Sequence, residues 1–262
     1  MQEQSEHTNH REQEILRELR LAGGTSRVGF LASRLGVSDE TIRRNIKTLA
    51  ARALVRKVHG GVVLVGNPSL TEQPFQSRMD QNTGTKQRLA QRVAEMISDG
   101  DSVFLDIGST TAYVAEALRN HHALYVVTNS LAVSQSLATR NNNRVFMAGG
   151  ELRPHDGGAF GLDAIRFIQR FNVKYAVFSV AAIHADAGFM LHDIQEADLS
   201  RTAAKQAQTR IVVADHEKFG QRAPVVIEDP SQFDVIVTDK TPPDEIVSML
   251  SQHAISTLLP EN

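Results

Sequence analysis

Six short apolar runs, interleaved with stretches of helical spacing, constrain the fold more than any other feature of this chain. They are SVFLDIG (102–108), LYVVTNS (124–130), RVFMAGG (144–150), YAVFSVA (175–181), RIVVADH (210–216) and DVIVTDK (234–240). Between them stand TTAYVAEALRN, LAVSQSLATR, LDAIRFIQRF and DLSRTAAKQAQ. A strand that is apolar along its whole length is buried on both faces. Its alternation with helices therefore argues for an α/β domain built on a mainly parallel sheet covered by helices.

The first 65 residues read differently. They carry 11 Lys and Arg against 7 Asp and Glu, a net of +4, whereas residues 66–262 carry 17 against 23, a net of −6. A basic front on an acidic body implies two parts with different partners. REQEILRELRLA (11–22) places Ile15, Leu16 and Leu19 on one helical face, and SRVGFLASRL (26–35) forms a second helix ended by Gly36. Ser38 caps a third helix whose first turn holds Asp39 and Glu40. LVRKV and VVLV flank HGG (59–61) as a β-hairpin. The expected organisation is a winged helix-turn-helix over 8–65, a linker over 66–84 containing GNPSLTEQP, and an α/β domain over 85–262. The chain has no cysteine, a polar N-terminus, and no apolar run longer than YAVFSVAAI. A cytoplasmic protein with no membrane partner is the expectation.

On the third helix, Ile46 and Leu49 fall within about 40° of Ile42 at about 100° per residue. Arg43, Arg44, Lys47 and Thr41 spread over the other side, and Asn45 projects about 60° from Ile42, beside the buried stripe. By spacing alone the basic side is a solvated face or one that meets negative charge. The preceding short helix, the tight LGVS turn and the basic hairpin favour the second reading. A helix-turn-helix sets its second helix in the major groove, where Arg and Lys read guanine and Thr meets a thymine methyl. Ser38, Thr41, Arg43, Arg44 and Lys47 on the helix, with Arg56, Lys57, His59 and Gly60 on the wing, are the expected contacts to double-stranded DNA. Gly60 and Gly61 would let the wing backbone approach phosphates closely.

The stretch LASRLGVSDETIRRNIKTLAARALVRKVHGG resembles the N-terminal signature of the DeoR family of bacterial transcriptional regulators, in which L-G-V-S-x-x-T-I-R-R-D precedes an R-x-H-G-G wing. This chain departs from it at Asn45, where the family has Asp. The resemblance extends along the whole chain. The family's D-x-G-T-T, T-N, G-G and D-x-S-K-F-G appear here with Ser109 for Thr and Glu217 for Ser. AGGELRPHDGGAFG is most similar to the branch that answers to glycerol 3-phosphate, though related branches sensing sugar phosphates share it, while FSVAAIH (178–184) departs from the usual glycine-rich stretch.

The strand ends carry the second site. LDIGSTTAYVAEAL (105–118) ends a strand at Asp106, turns at Gly108 and opens a helix with Ser109, Thr110 and Thr111. Helix N-termini bind phosphate, and ligands of open α/β sheets sit at the carboxyl ends of strands. A tight structural turn would explain D-x-G-S-T-T equally well. Three further polar strand ends, with Thr128 and Asn129, with Gly149, Gly150, Glu151 and Arg153, and with Asp215 and Lys218, argue for a pocket. What the resemblance implies is a sheet like that of sugar-phosphate isomerases and a phosphorylated sugar or polyol as effector. Its phosphate would lie on Gly108–Thr111, its hydroxyls would face Asp106, Asn129, Glu151 and Asp215, and Arg153, Lys205 and Lys218 would be the cations. An enzymatic alternative uses Asp106, Glu151 and Lys205 to move a proton next to a carbonyl. The attached DNA-binding unit favours binding over catalysis. The pairs His155-Asp156, His192-Asp193 and His216-Glu217 lack helical ligand spacing, so no metal is expected, nor any cofactor. The regulator is expected to be a homo-oligomer, since paired half-sites suit a symmetric protein.

Overall fold

The computed structural model describes residues 10–22, 24–52, 54–58, 61–64 and 72–260. The chain divides into two compact units between Glu72 and Gln73.

In the first unit, helices α1 (His10–Leu21), α2 (Val28–Leu35) and α3 (Asp39–Ala51) pack with strands β1 (Thr25–Arg27), β2 (Val55–Val58) and β3 (Gly61–Leu64). Ile15, Leu19, Leu31, Ile42, Ile46, Leu49 and Val62 form its buried core. The second helix starts two residues later than its sequence suggests, because Thr25–Arg27 pair antiparallel with β3 as the third strand of the wing sheet. Gly36 ends α2 in the left-handed region at φ 63°, a conformation that favours glycine. Ser38 caps α3, its Oγ accepting from the Thr41 N–H at 3.2 Å. Gly61 has a packing reason of its own: a Cβ there would lie 2.6 Å from the Ser26 carbonyl oxygen, so β1 and β3 could not close.

The second unit opens with α4 (Phe75–Asp80) and α5 (Thr83–Ala94). Both begin inside the stretch expected as linker, 66–84, of which residues 66–71 lie outside the described residues. Helix α4 belongs to the body because two donors hold its carbonyls. The Lys86 ammonium bonds the Arg78 oxygen and, at 2.8 Å, the Gln81 oxygen, and the Tyr113 hydroxyl donates to the Met79 oxygen at 3.1 Å.

The chain then runs through β4 (Ser102–Leu105), α6 (Ser109–Ala117), β5 (Tyr125–Thr128), α7 (Leu131–Leu137), β6 (Arg144–Met147), α8 (Leu162–Ile168) and β7 (Val173–Ser179). It continues with β8 (Ala182–His184), β9 (Gly188–Leu191), α9 (Ile194–Lys205), β10 (Ala207–Val213), β11 (Val225–Val226), β12 (Val235–Val237), α10 (Asp244–Gln252) and β13 (Ser256–Leu258). Seven strands form one sheet in the order β13-β12-β10-β7-β4-β5-β6, every pair parallel. All six apolar runs are in it. Two large apolar clusters, one around Phe104, Phe178 and Ile236 and the other around Leu89, Val103, Leu105 and Val213, line its two faces. This is the α/β class its alternating pattern requires. A separate small antiparallel sheet, β11-β9-β8, is an addition that the apolar pattern does not announce.

Candidate nucleic-acid interface and effector site

On α3, Ile42, Asn45, Ile46 and Leu49 are buried, while Arg43, Arg44 and Lys47 are exposed. None of these three cations makes an ion pair with a described residue, whereas Arg34 is committed to Glu18 and Arg52 to Glu12. Arg56 and Lys57 are exposed on β2. His59 and Gly60, expected at the wing tip, lie outside the described residues. Ser38 and Thr41 have their hydroxyl oxygens 3.0 Å apart in the cap of α3, so both serve the helix start. Asn45 is placed as its wheel position requires. Its side-chain N–H donates to the Thr41 carbonyl at 2.9 Å, back-bonding within the helix rather than facing outward.

In the sheet, β5 and β6 lie to one side of β4, while β7, β10, β12 and β13 lie to the other. The strand order reverses between β4 and β7, and at their carboxyl ends an open α/β sheet leaves a crevice for ligands. Asp106, Gly108 and Ser179 meet there. The Asp106 carboxylate accepts from the Ser179 N–H at 2.8 Å, with the Ser179 hydroxyl 3.4 Å away. Gly108 precedes α6, and a Cβ on it would fall 1.9 Å from Ser179 Oγ and 2.7 Å from Ser179 Cβ. Ser109 and Thr110 are buried in the first turn of α6, and Thr111 Oγ1 donates to the carbonyls of Asp106 and Gly108, both at 3.1 Å. The first turn of α6 thus sets its backbone N–H groups, with the Ser109 and Thr110 side chains beside them, at the carboxyl edge of the sheet, and a helix N-terminus favours negative charge.

Burial pushes the Asp106 carboxyl up to about 7, against the hydrogen bonds that favour its charged form. A carboxyl raised from the ordinary range makes folding most favourable below about pH 4, and that contribution is lost as pH rises through about 7. Asp106→Asn, which keeps an oxygen to accept from Ser179, is therefore expected to stabilise the protein at pH 8 and leave it little changed at pH 4. At about 1.4 kcal/mol per unit the gain is at most on the order of 4 kcal/mol. Thermal unfolding at the two pH values checks it, and a gain equal at both would refute the account of this carboxyl.

Other expected residues fall into three groups. Asn129 belongs to the crevice: it is fully buried, its N–H donates to the Ala159 oxygen at 3.3 Å, and its Oδ1 is buried without a hydrogen-bond partner among the described residues. Thr128 supports it from behind, its hydroxyl donating to the Leu105 oxygen at 2.7 Å and accepting from the Ser130 N–H at 3.0 Å. Asp215 is buried at the end of β10 and caps the turn holding Lys218, with Oδ1 accepting from the Glu217 N–H at 3.0 Å. Gly149, Gly150 and Glu151 are at the right edge of the sheet but exposed, after the outermost strand, and Glu151 makes no ion pair among the described residues.

Two expectations need correction. Arg153 is not a free cation: its guanidinium pairs with Asp156 and Glu196, lies 3.6 Å from Asp193, and stacks 4.2 Å from the Phe160 ring centre. Lys205 is at the wrong edge. It ends α9, immediately before β10 begins, so it lies near the amino end of the strand whose carboxyl end delivers Asp215. There it lines an open groove of about 340 Å³ with Gln169, Asp198 and Arg201, and stands 3.8 Å from Glu228. Asp106, Glu151 and Lys205 are therefore not assembled into the proton-transfer group that the enzymatic alternative needs.

Lys86 is the residue the motifs missed. It is buried in the first turn of α5, close enough to Asp215, Glu217, Lys218 and Arg78 to feel their charges, and burial lowers it to about 8. The charge of Arg78 also reaches Asp106. A signal existed: Lys86 occupies the apolar stripe continued by Leu89, Ala90, Val93 and Ala94. A lysine on that face has to find partners inside the protein. Among the described residues no group of three or more His, Asp or Glu side chains is placed to hold a metal ion, and no helix is long and apolar enough to cross a membrane.

Comparison with known proteins matches residues 11–67 to the DeoR-like helix-turn-helix domain and residues 81–240 to the DeoR C terminal sensor domain. The glycerol-3-phosphate regulon repressor of Escherichia coli (strain K12) is 36% identical over 225 residues, covering 86% of this chain and 88% of that protein. The HTH-type transcriptional repressor CsqR of the same organism is 36% identical over 238 residues, 91% of this chain and 90% of its own length. The glycerol-3-phosphate regulon repressor of Haemophilus influenzae is 33% identical over 250 residues, 95% and 96%. Among solved structures, ribose 5-phosphate isomerase from Plasmodium falciparum aligns over 51% of this chain and 52% of its own with 13% identity and a TM-score of 0.36, too low to carry an argument.

Proposed function

We propose that this chain, which belongs to the DeoR family of transcriptional regulators, represses a carbohydrate or polyol catabolic operon and is controlled by a phosphorylated sugar or polyol. One observation carries the reading. The same chain holds a helix-turn-helix whose second helix exposes three cations, unpaired among the described residues, and a sensor sheet at whose switch point Gly108 packs against Ser179 and opens the first turn of α6. Arg43, Arg44 and Lys47 enter the major groove, Arg56 and Lys57 hold phosphates beside it, and paired half-sites are met by a homo-oligomer. The protein works in the bacterial cytoplasm, where its DNA is.

At the sensor, the phosphoryl group takes the first turn of α6 at Gly108–Thr111, with Lys86, Lys218 and Arg78 supplying positive charge. Hydroxyls of the effector reach Asn129 Oδ1 and Asp106. Glycerol 3-phosphate, named in two of the relatives, has the right chemistry: one phosphoryl group and two hydroxyls. Catalysis forms no part of the reading, because the carboxylates and the lysine that a proton transfer would use stand apart. An effector shifts a regulator only by binding its two states unequally, with couplings of about 1–3 kcal/mol typical.

The test is calorimetric titration of the full chain with glycerol 3-phosphate and with glycerol. Binding of the first and not the second is expected. Thr110→Ala with Thr111→Ala should weaken it by more than about tenfold, since the Thr110 hydroxyl beside the anion is removed and with it the Thr111 hydroxyl that ties the turn to the carbonyls of Asp106 and Gly108. Wild-type affinity in the double variant would remove this turn from the account.

A further inference from the structure

Beside Asp106 and Asn129, the groups assigned to the effector's hydroxyls, the crevice is narrow. Phe160, Leu191, Glu196, Leu199 and Ser200 line it with them around a cavity of about 10 Å³, room for about one water molecule and far too small for the polyol end of an effector. Three sides of it are fixed. Asp106 and Asn129 end central strands, and Leu199 and Ser200 are buried on α9. Leu191 at the end of β9 adds to these, and the remaining wall is Phe160, from the segment between β6 and α8, residues 148–161.

That segment has a fixed root and a held tip. Its root is sewn to the sheet: the Ala159 N–H donates to the Asn129 carbonyl at 2.9 Å, and the Leu131 N–H donates to the Gly157 carbonyl at 3.1 Å. Its tip, 151–156, has no such ladder to the strands. Apart from an isolated bridge between Leu152 and Ala159, the backbone hydrogen bonds that Arg153 makes with the segment's own root, and the Asp156 Oδ1 that accepts from the Gly158 N–H at 3.0 Å, the tip is held by the Arg153 guanidinium. One carboxylate partner, Asp156, is on the segment itself; the other, Glu196, stands in the first turn of α9. The latter pair is the closer of two ties between segment and helix, the other being Asp193 at the start of α9, 3.6 Å from the guanidinium; the Glu196 pair is mostly buried, so solvent screens it little. The guanidinium stacks on Phe160, the ring that closes the cavity. Gly161, at φ 89°, and Gly157, at φ 73°, bracket that ring with left-handed backbone that favours glycine.

We propose that the tip of this segment, 151–156, and the Phe160 side chain on which Arg153 stacks gate the effector pocket, with the ring as the leaf and the Arg153–Glu196 ion pair as the latch, so that the effector enters only after the latch parts and the ring can turn. The proposal rests on the reading that this crevice is the effector site. A gate of this kind makes association wait for opening, and the observed rate then levels off as ligand is raised. Loosening the latch raises the open fraction, and the apparent rate and affinity follow that fraction.

The experiment is stopped-flow mixing of the full chain with glycerol 3-phosphate, followed by the fluorescence of its three tyrosines, one of which, Tyr113, is on α6; the chain has no tryptophan. For the wild type a rate that saturates with concentration is expected. Glu196→Gln should raise the plateau about tenfold, the scale on which a modest shift in the open fraction acts. Phe160→Ala, which removes the leaf and leaves the ion pair, should raise it too. Thermal unfolding shows which variants are folded, and either one alone decides. A wild-type rate that grows linearly with concentration and is the same in a folded variant overturns the gate. Calorimetric silence of the wild type towards glycerol 3-phosphate, ribose 5-phosphate and fructose 6-phosphate alike overturns the effector reading, and the gate falls with it.

Discussion

Arg44→Ala is expected to cut affinity for the operator by about 10- to 100-fold, the cost of removing one base-reading arginine at about 1–3 kcal/mol, and to relax discrimination among sequences at one position. The fold should be untouched, because Arg44 is exposed on α3 and the unit's core is carried by Ile15, Leu19, Leu31, Ile42, Ile46 and Leu49 on the other faces. Lys57→Ala on the wing is the control with a different signature. Removing a phosphate-binding cation there weakens binding to all sequences alike and lowers the salt slope by about one. Anisotropy titrations of a labelled operator and a scrambled duplex at several salt concentrations separate the two. Equal losses on both duplexes for Arg44→Ala would move that arginine from the bases to the backbone.

Gly108→Ala carries the second large effect. Its φ of −168° is open to any residue, so the need for glycine there is one of space. The Ser179 hydroxyl could swing away from an added methyl, but Ser179 Cβ, 2.7 Å from it, cannot. Either β7 or the start of α6 must shift. Overpacking of this kind costs about 1–3 kcal/mol, and the displaced turn is the one proposed to hold the phosphoryl group. Loss of detectable effector binding with a lower unfolding temperature is expected. Ser179→Gly in the same chain removes the clashing carbon and should restore much of both. If Gly108→Ala binds glycerol 3-phosphate as the wild type does, the phosphoryl group is not held at this turn.

Much of this could be read in the residues, and what could not has physical reasons. The six apolar runs are strands because burial on both faces demands uninterrupted apolar side chains, and all six are present. Strand β13 escapes the same reasoning because it is an edge strand whose Ser256 and Thr257 are exposed. The small sheet escapes it because AAIHADAGFML is a hairpin in which small residues leave little contrast between its two faces. In the DNA-binding unit, Ser38, Ile42, Ile46 and Leu49 stand where capping and helical periodicity put them, whereas Ser26 and Arg27 are drawn from helix into strand by pairing with residues more than thirty positions away.

The sensor site divides the same way. Gly108 and the hydroxyls after it announce themselves as a short motif, but charge pairing is a matter of tertiary structure. Nothing near Arg153 in the sequence names Glu196 as its partner. Lys205 could have been excluded from sequence logic alone: a helix between parallel strands ends where the next strand begins, so its last residue lies at the amino edge of the sheet, away from the ligand crevice. Lys86 was legible only as a charge on an apolar stripe.

If a phosphorylated small molecule bound at the carboxyl edge of β4 controls the operator-bound protein, it releases the protein from DNA. The full chain is bound to a duplex selected from random sequence by the protein itself, then titrated with glycerol 3-phosphate, with ribose 5-phosphate and fructose 6-phosphate alongside, and anisotropy is followed. At least one of them is expected to dissociate the wild type at saturation, while the Thr110→Ala, Thr111→Ala variant stays bound at the same concentration. Wild-type protein that holds its duplex through all three titrations, or a double variant released as readily as the wild type, would contradict it.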